Sequence, residues 1–212
     1  MAQPYSARSR AIEPFHVMAL LARANELQAA GHDVIHLEIG EPDFSTAAPI
    51  VEAGQAALAA GHTRYTAARG LPALREASAG FYARRYGLSI DPQRILITPG
   101  GSGALLLASS LLVDPGKHWL LADPGYPCNR HFLRLVEGGA QLVPVGPDVN
   151  YQLTPDLVER YWDHDTVGAL VASPANPTGT VLDRDQLAGL SQATRAHNGH
   201  LVVDEIYHGP VS

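Results

Sequence analysis

From residue 94 onward the chain alternates short apolar runs with helix-patterned stretches, and this alternation limits the fold more than any other feature. Arg94-Ile95-Leu96-Ile97-Thr98, His118-Trp119-Leu120-Leu121-Ala122, Gln141-Leu142-Val143-Pro144-Val145 and residues 167–172 and 200–205 read as strands. Helices are expected between them, over residues 102–113, 128–137, 154–161 and 183–196. Strands that are apolar throughout need cover on both faces, and the intervening helices supply it. The expectation is an α/β fold: a mainly parallel sheet with helices on both faces.

The first 93 residues are less regular. Residues 1 to about 32 read as an arm with one helix, with Met18, Leu21, Ala22, Asn25 and Ala29 near helical spacing and Gly31 as its stop. Val34-Ile35-His36-Leu37 reads as a short strand, and Gly40-Glu41-Pro42-Asp43-Phe44 as a turn-rich connector. A helix starts at Pro49 and stops at Gly61; another follows Pro72 and runs through Leu74, Ser78, Phe81, Tyr82 and Arg85. Ser78 is anomalous, a hydroxyl at an apolar position of its helix.

Composition narrows the function classes. A net charge of −6 argues against nucleic acid or an anionic membrane as partner. Cys128 is the only cysteine, so a disulfide framework is excluded and a reducing cytoplasm is expected. Charged residues at Arg8, Arg10, Glu13, Arg23 and Glu26 break any signal-peptide core, and no apolar run approaches a membrane span. The histidines do not cluster at metal-ligand spacing, and no metal is expected.

The chemistry-bearing residues fall at strand ends, the edge where open α/β sheets bind ligands. Ser173-Pro174-Ala175-Asn176-Pro177-Thr178-Gly179 follows one strand, and its two prolines hold Asn176 on a stiff loop. Asp204, Glu205, Tyr207 and His208 follow the next. A carboxylate at the end of a Leu-Val-Val run would be costly without a partner. Pro99-Gly100-Gly101-Ser102-Gly103 opens a helix, where bare N–H groups suit either a phosphate or a tight turn. Asp123-Pro124-Gly125-Tyr126-Pro127 presents an aromatic that serves either the core or a ligand stack.

With Ser-Pro-x-Asn-Pro-Thr-Gly and Val-Val-Asp-Glu-Ile-Tyr in place, the chain resembles the class I/II aminotransferases, fold-type-I enzymes that use pyridoxal 5′-phosphate (PLP). The resemblance implies that Gly101, Ser102 and Gly103 hold the PLP phosphate and that Tyr126 stacks on its ring. It also implies that Asn176 and Tyr207 donate to the phenolic oxygen, and that Asp204 keeps the pyridine nitrogen protonated. Tyr65 would reach across a homodimer to the partner's PLP phosphate. Gly40 and Asn176 would meet the substrate, an amino acid or a 2-oxo acid. On this reading residues 1–45 form an arm and part of a small domain, and residues 46–212 an incomplete PLP-binding large domain.

The family also needs a lysine for its Schiff base, in a Ser-x-x-Lys segment downstream of the aspartate. The sequence stops at Ser212, and the resemblance places that lysine beyond Ser212. Lys117 is the only lysine, and it sits in the turn Asp114-Pro115-Gly116-Lys117. The later arginines for phosphate and substrate carboxylate are missing too, so the resemblance covers the N-terminal part of a family member. The chain is expected to be a fragment or a truncated product, inactive alone. Three alternatives remain at this stage: a PLP-dependent C–S lyase or β-eliminase, a serine hydrolase using Ser102 with Asp204 and His208, and a non-enzymatic remnant.

Overall fold

The structure is a computed structural model in which residues 5–40 and 44–209 are described. The helices are α1 (Ala7–Arg10), α2 (His16–Ala29), α3 (Ala48–Ala59), α4 (Pro72–Tyr86), α5 (Gly100–Leu112), α6 (Cys128–Leu135), α7 (Pro155–Tyr161) and α8 (Arg184–Ala196). The strands are β1 (His118–Asp123), β2 (Gly139–Pro144), β3 (Thr166–Ala172) and β4 (His200–Asp204). The chain divides into two compact units. One joins the residues up to Pro14 with those from Gly100 on; the other is Phe15–Pro99.

The unit from Gly100 on is built round a four-stranded sheet of order β2-β1-β3-β4, in which every pair is parallel. Side chains alternate across it. Leu120, Val143, Ala169 and Val171 pack on one face with Leu157, Val158, Leu190 and Ala193 from α7 and α8. Trp119, Leu121 and Leu170 pack on the other with Leu133 of α6 and with Leu105, Ala108 and Leu112 of α5. This two-sided cover explains why the strands carry no polar alternation. Local signals set the ends. Asp183 caps α8 in a reciprocal box with Gln186, each side chain accepting from the other's backbone N–H at 2.8 Å. Thr154 caps α7 by accepting from Leu157 N–H.

The Phe15–Pro99 unit holds α2, α3 and α4. Gly31, Gly61 and Gly87 all take positive φ just past their helices, as left-handed stops require. Ser78 loses its anomaly here: its hydroxyl donates to the Leu74 carbonyl one turn back, at 2.8 Å.

Two expected strands are absent. Residues 34–37 are irregular, with Ile35 and Leu37 largely exposed, and His36 bonds to Glu38 and Gln28. Residues 95–98 run extended after a 3-10 turn at Pro92–Arg94, but they join no ladder. Ile97 N–H donates instead to Arg69 C=O at 3.2 Å, beside Gly70, where a Cβ would lie 2.5 Å from Ile97. An apolar run signals an extended path, whereas a strand also needs a neighbour, and composition does not report that.

Candidate functional site

The helix after β1 (α6) lies on one face of the sheet and the helix after β3 (α8) on the other. The two neighbouring strands therefore send their chains apart, and the gap between their C-terminal tips is the switch point at which such sheets bind ligands. The tips of β1, β3 and β4 and the start of α5 meet there around a pocket of about 140 Å³, lined by Gly101, Ser102, Leu105, Tyr126, Ala172, Asn176, Asp204, Ile206 and Tyr207.

Each wall is braced locally. Ser173 Oγ accepts from Leu182 N–H at 2.9 Å, Ala175 N–H donates to Thr180 C=O at 2.9 Å, and Gly179 N–H to Ala175 C=O at 2.8 Å. Buried Gln152 adds its amide nitrogen, 3.0 Å from Ala172 C=O and 3.1 Å from Thr180 Oγ1. The loop that carries Asn176 is thus tied at both ends. Ser173 N–H also donates to Asp204 C=O at 3.0 Å, which fastens the β3 tip to the β4 tip. The Asp204 carboxylate accepts from Ile206 N–H at 3.1 Å, a local turn that holds it at the pocket rim.

At the opposite wall Gly100 takes φ +77°, and α5 begins with no acidic residue in its first turn. Its first N–H groups carry the helix's positive end with no carboxylate of their own to answer them. Tyr126 closes the side. Its hydrogen bond with Cys128, then burial and the nearby Cys128, Tyr207 and Asp204, push its hydroxyl up to about 12. The phenol stays neutral at physiological pH.

The structure therefore brings Gly101, Ser102, Tyr126, Asn176, Asp204 and Tyr207 round one pocket. Gly103 is in the first turn of α5 but does not line it. Gly40 and Tyr65 belong to the Phe15–Pro99 unit, and Tyr65 is fully exposed. Glu41, Pro42 and Asp43 of the connector lie outside the described residues. So does Ser212, the position past which the Schiff-base lysine is expected. His208 does not line this pocket with Ser102; it faces Glu205 at 3.8 Å. Lys117 stands before β1, at the other end of the sheet. Its Nζ is 2.9 Å from Asp165 and 3.2 Å from the His164 carbonyl, and this pairing holds the Asp165 carboxyl below its usual range.

Three lining residues escaped the sequence reading: Leu105, Ala172 and Ile206. Leu105 was discoverable, because it stands four residues after Gly101 on the same helix face. Ala172 and Ile206 carry no chemical signal.

Comparison with known proteins now decides the family. The family description "Aminotransferase class I and II" matches residues 32–212. The chain belongs to that family. It is 38% identical over 200 residues to a valine–pyruvate aminotransferase of Mycobacterium tuberculosis, covering 94% of this chain and 51% of the relative. It is 39% identical to a (5-formylfuran-3-yl)methyl phosphate transaminase of Methanocaldococcus jannaschii, covering 94% and 50%. Among solved structures, an aminotransferase from Mycobacterium tuberculosis superposes with a TM-score of 0.93 at 36% identity, covering 98% of this chain and 53% of that one. The aspartate aminotransferase of Thermus thermophilus with maleate gives 0.91 at 35%, covering 97% and 54%. The chain has this family's fold and spans about half the length of these relatives.

Proposed function

We propose that this chain is the cofactor-holding part of a PLP-dependent aminotransferase, which moves an amino group between an amino acid and a 2-oxo acid. The observation that carries the proposal is the convergence of Asn176, Asp204, Tyr207, Tyr126 and the start of α5 on one pocket. The donor set fits the cofactor. The α5 N-terminus and the Ser102 hydroxyl suit a phosphate dianion. Asp204, half-buried and held by Ile206 N–H, suits a protonated pyridine nitrogen. Asn176 and Tyr207 supply donors for a phenolate oxygen, and Tyr126 offers a neutral ring to stack on. Bound there, PLP would supply an electron sink for charge developing at the substrate Cα.

The chain's own residues orient and hold; none of them is placed to form the covalent link to the cofactor. Lys117 is at the far end of the sheet and engaged with Asp165. A lysine supplied by further polypeptide, beyond Ser212, is therefore part of the proposal, as are a homodimer served by Tyr65 and a substrate contact at Gly40. Transamination is favoured over β-elimination because the relatives with printed activities are aminotransferases.

Equilibrium dialysis of the 212-residue chain against PLP tests the pocket. Reversible binding is expected, weakened about tenfold by Asp204→Asn or Asn176→Ala, which corresponds to about 1.4 kcal/mol each. Borohydride should fix no cofactor to Lys117. Binding that ignores both substitutions, or fixation at Lys117, would overturn the assignment.

A further inference from the structure

Gln152 does not line the cofactor pocket, yet it is buried to 3% exposure against the loop that carries Asn176. Its side-chain nitrogen bonds at both ends of that loop. It lies 3.0 Å from the carbonyl of Ala172, the last residue of β3, 3.3 Å from Thr180 C=O and 3.1 Å from Thr180 Oγ1. Thr180 Oγ1 is in turn 2.9 Å from Thr178 Oγ1. Ser173, Ala175 and Gly179 make their bonds with neighbours between 175 and 182, whereas Gln152 reaches in from another part of the chain. One amide therefore closes the base of residues 173–179, and Asn176 is the middle residue of that span. The Asn176 side chain is short, with two torsions, so the direction of its amide follows the backbone beneath it.

The backbone before Gln152 is bent to place it. After the 3-10 turn Pro147–Val149, Asn150 and Tyr151 both take φ +53°, in the left-handed region. That region is unfavourable for a bulky residue such as Tyr151. Tyr151 N–H donates to Gly146 C=O at 2.8 Å and Gln152 N–H to Val149 C=O at 3.1 Å, which hold the bend. Strain of this kind persists where the surrounding structure over-determines it, and it gathers beside functional groups.

We infer that Gln152 is a positioning residue for cofactor binding: by tying Ala172 to Thr180 it sets the angle at which Asn176 meets the phenolic oxygen. The inference rests on the PLP reading given above. Every contact it uses lies within the chain's own buried core, between β3 and the turn at 147–152.

The test is made on the 212-residue chain. Gln152→Leu removes the amide at similar volume and should weaken PLP about fivefold in equilibrium dialysis, the worth of about one hydrogen bond. Gln152→Glu keeps the size but offers no N–H when ionised, and should act in the same direction. In an Asn176→Ala background either change should add less than about twofold, because the group being positioned is gone. The absorbance band of bound PLP responds to hydrogen bonding at its phenolic oxygen. It should shift the same way in Gln152→Leu as in Asn176→Ala, and stay in place in Leu190→Ala, which loosens the core elsewhere. Without PLP, the Ala175 and Gly179 amides should exchange faster in both Gln152 variants. Circular dichroism confirms that each variant keeps the fold.

Unchanged affinity in Gln152→Leu beside a loss in Asn176→Ala would overturn the inference and leave the cofactor assignment standing. So would losses that multiply in the double variant, a band that moves equally in Leu190→Ala, or loop amides that exchange at the original rate. If Asn176→Ala itself left the affinity unchanged, the cofactor assignment would fall and take this inference with it.

Discussion

The two units show how differently similar sequence patterns are used. From Gly100 on, apolar runs close a core in which Trp119, Leu120, Leu133, Val158 and Leu190 are at most 1% exposed. In Phe15–Pro99 all three helices have Gly stops, and α3 and α4 also have Pro starts, yet α2 and α3 bury no residue, and the only buried residue of α4 is Arg75. Capping signals are local and write a helix wherever they occur. Burial requires a second surface. The sheet supplies one in the first unit, and only there do the apolar positions contribute their full transfer energy.

The largest effect that would break this contrast comes from truncating matched apolar residues. Leu190→Ala, fully buried between α8 and the sheet, should cost about 2–5 kcal/mol, whereas Leu58→Ala on α3, 67% exposed, should stay within about 0.5 kcal/mol. Urea midpoints read both, and equal losses would sink the comparison. Gly168→Ala comes next. Its Cβ would lie 2.7 Å from the His200 carbonyl and 2.9 Å from Trp119 Nε1, so β3 and β4 must separate, at about 1–3 kcal/mol. Gly54→Ala on α3 meets nothing within 4 Å and should stabilise by about 0.5–1 kcal/mol.

Removing a cap gives a smaller loss: Asp183→Ala should cost about 1 kcal/mol through α8. The smallest effect is a titration. Tyr126 should ionise near 12 in the folded chain, later than the usual tyrosine range, and Cys128→Ala should bring it down, since the hydrogen bond to Cys128 is its main cause. With the folded value above the unfolded one, this hydroxyl favours folding below about pH 10, and that contribution disappears as pH rises toward 12. Ultraviolet difference spectra follow it, and a Tyr126 that titrates with the other tyrosines would show that the Cys128 contact is not made.

Much of this was legible from residue types. Each of the four observed strands overlaps an expected one, because full two-sided cover leaves an unbroken apolar run. The pocket residues at strand tips were legible because polar side chains end those runs: Asn176 after β3, Asp204 at the end of β4. Residues 34–37 and 95–98 were misread for one reason: a strand needs a ladder neighbour, neither segment has one among the described residues, and an apolar run carries no local mark of that. Gly103 was grouped with Gly101 and Ser102 through the family resemblance, but it does not line the pocket, and successive helix residues point about 100° apart. Leu105, one turn on from Gly101, was the better neighbour.

The split at the switch point also governs the order in which the pocket comes into being. Its first wall, at Gly101 and Ser102, leaves the ribosome roughly a hundred residues ahead of Asp204 and Tyr207. At typical synthesis rates that interval is about 5–20 s. For that time the start of α5 faces a sheet edge that does not yet exist. β1 and β2 can already pair, but β3 must come in beside β1, on the side away from β2. A nascent chain stalled before residue 166 would thus have two of the four described strands and only the walls of the pocket at α5 and Tyr126.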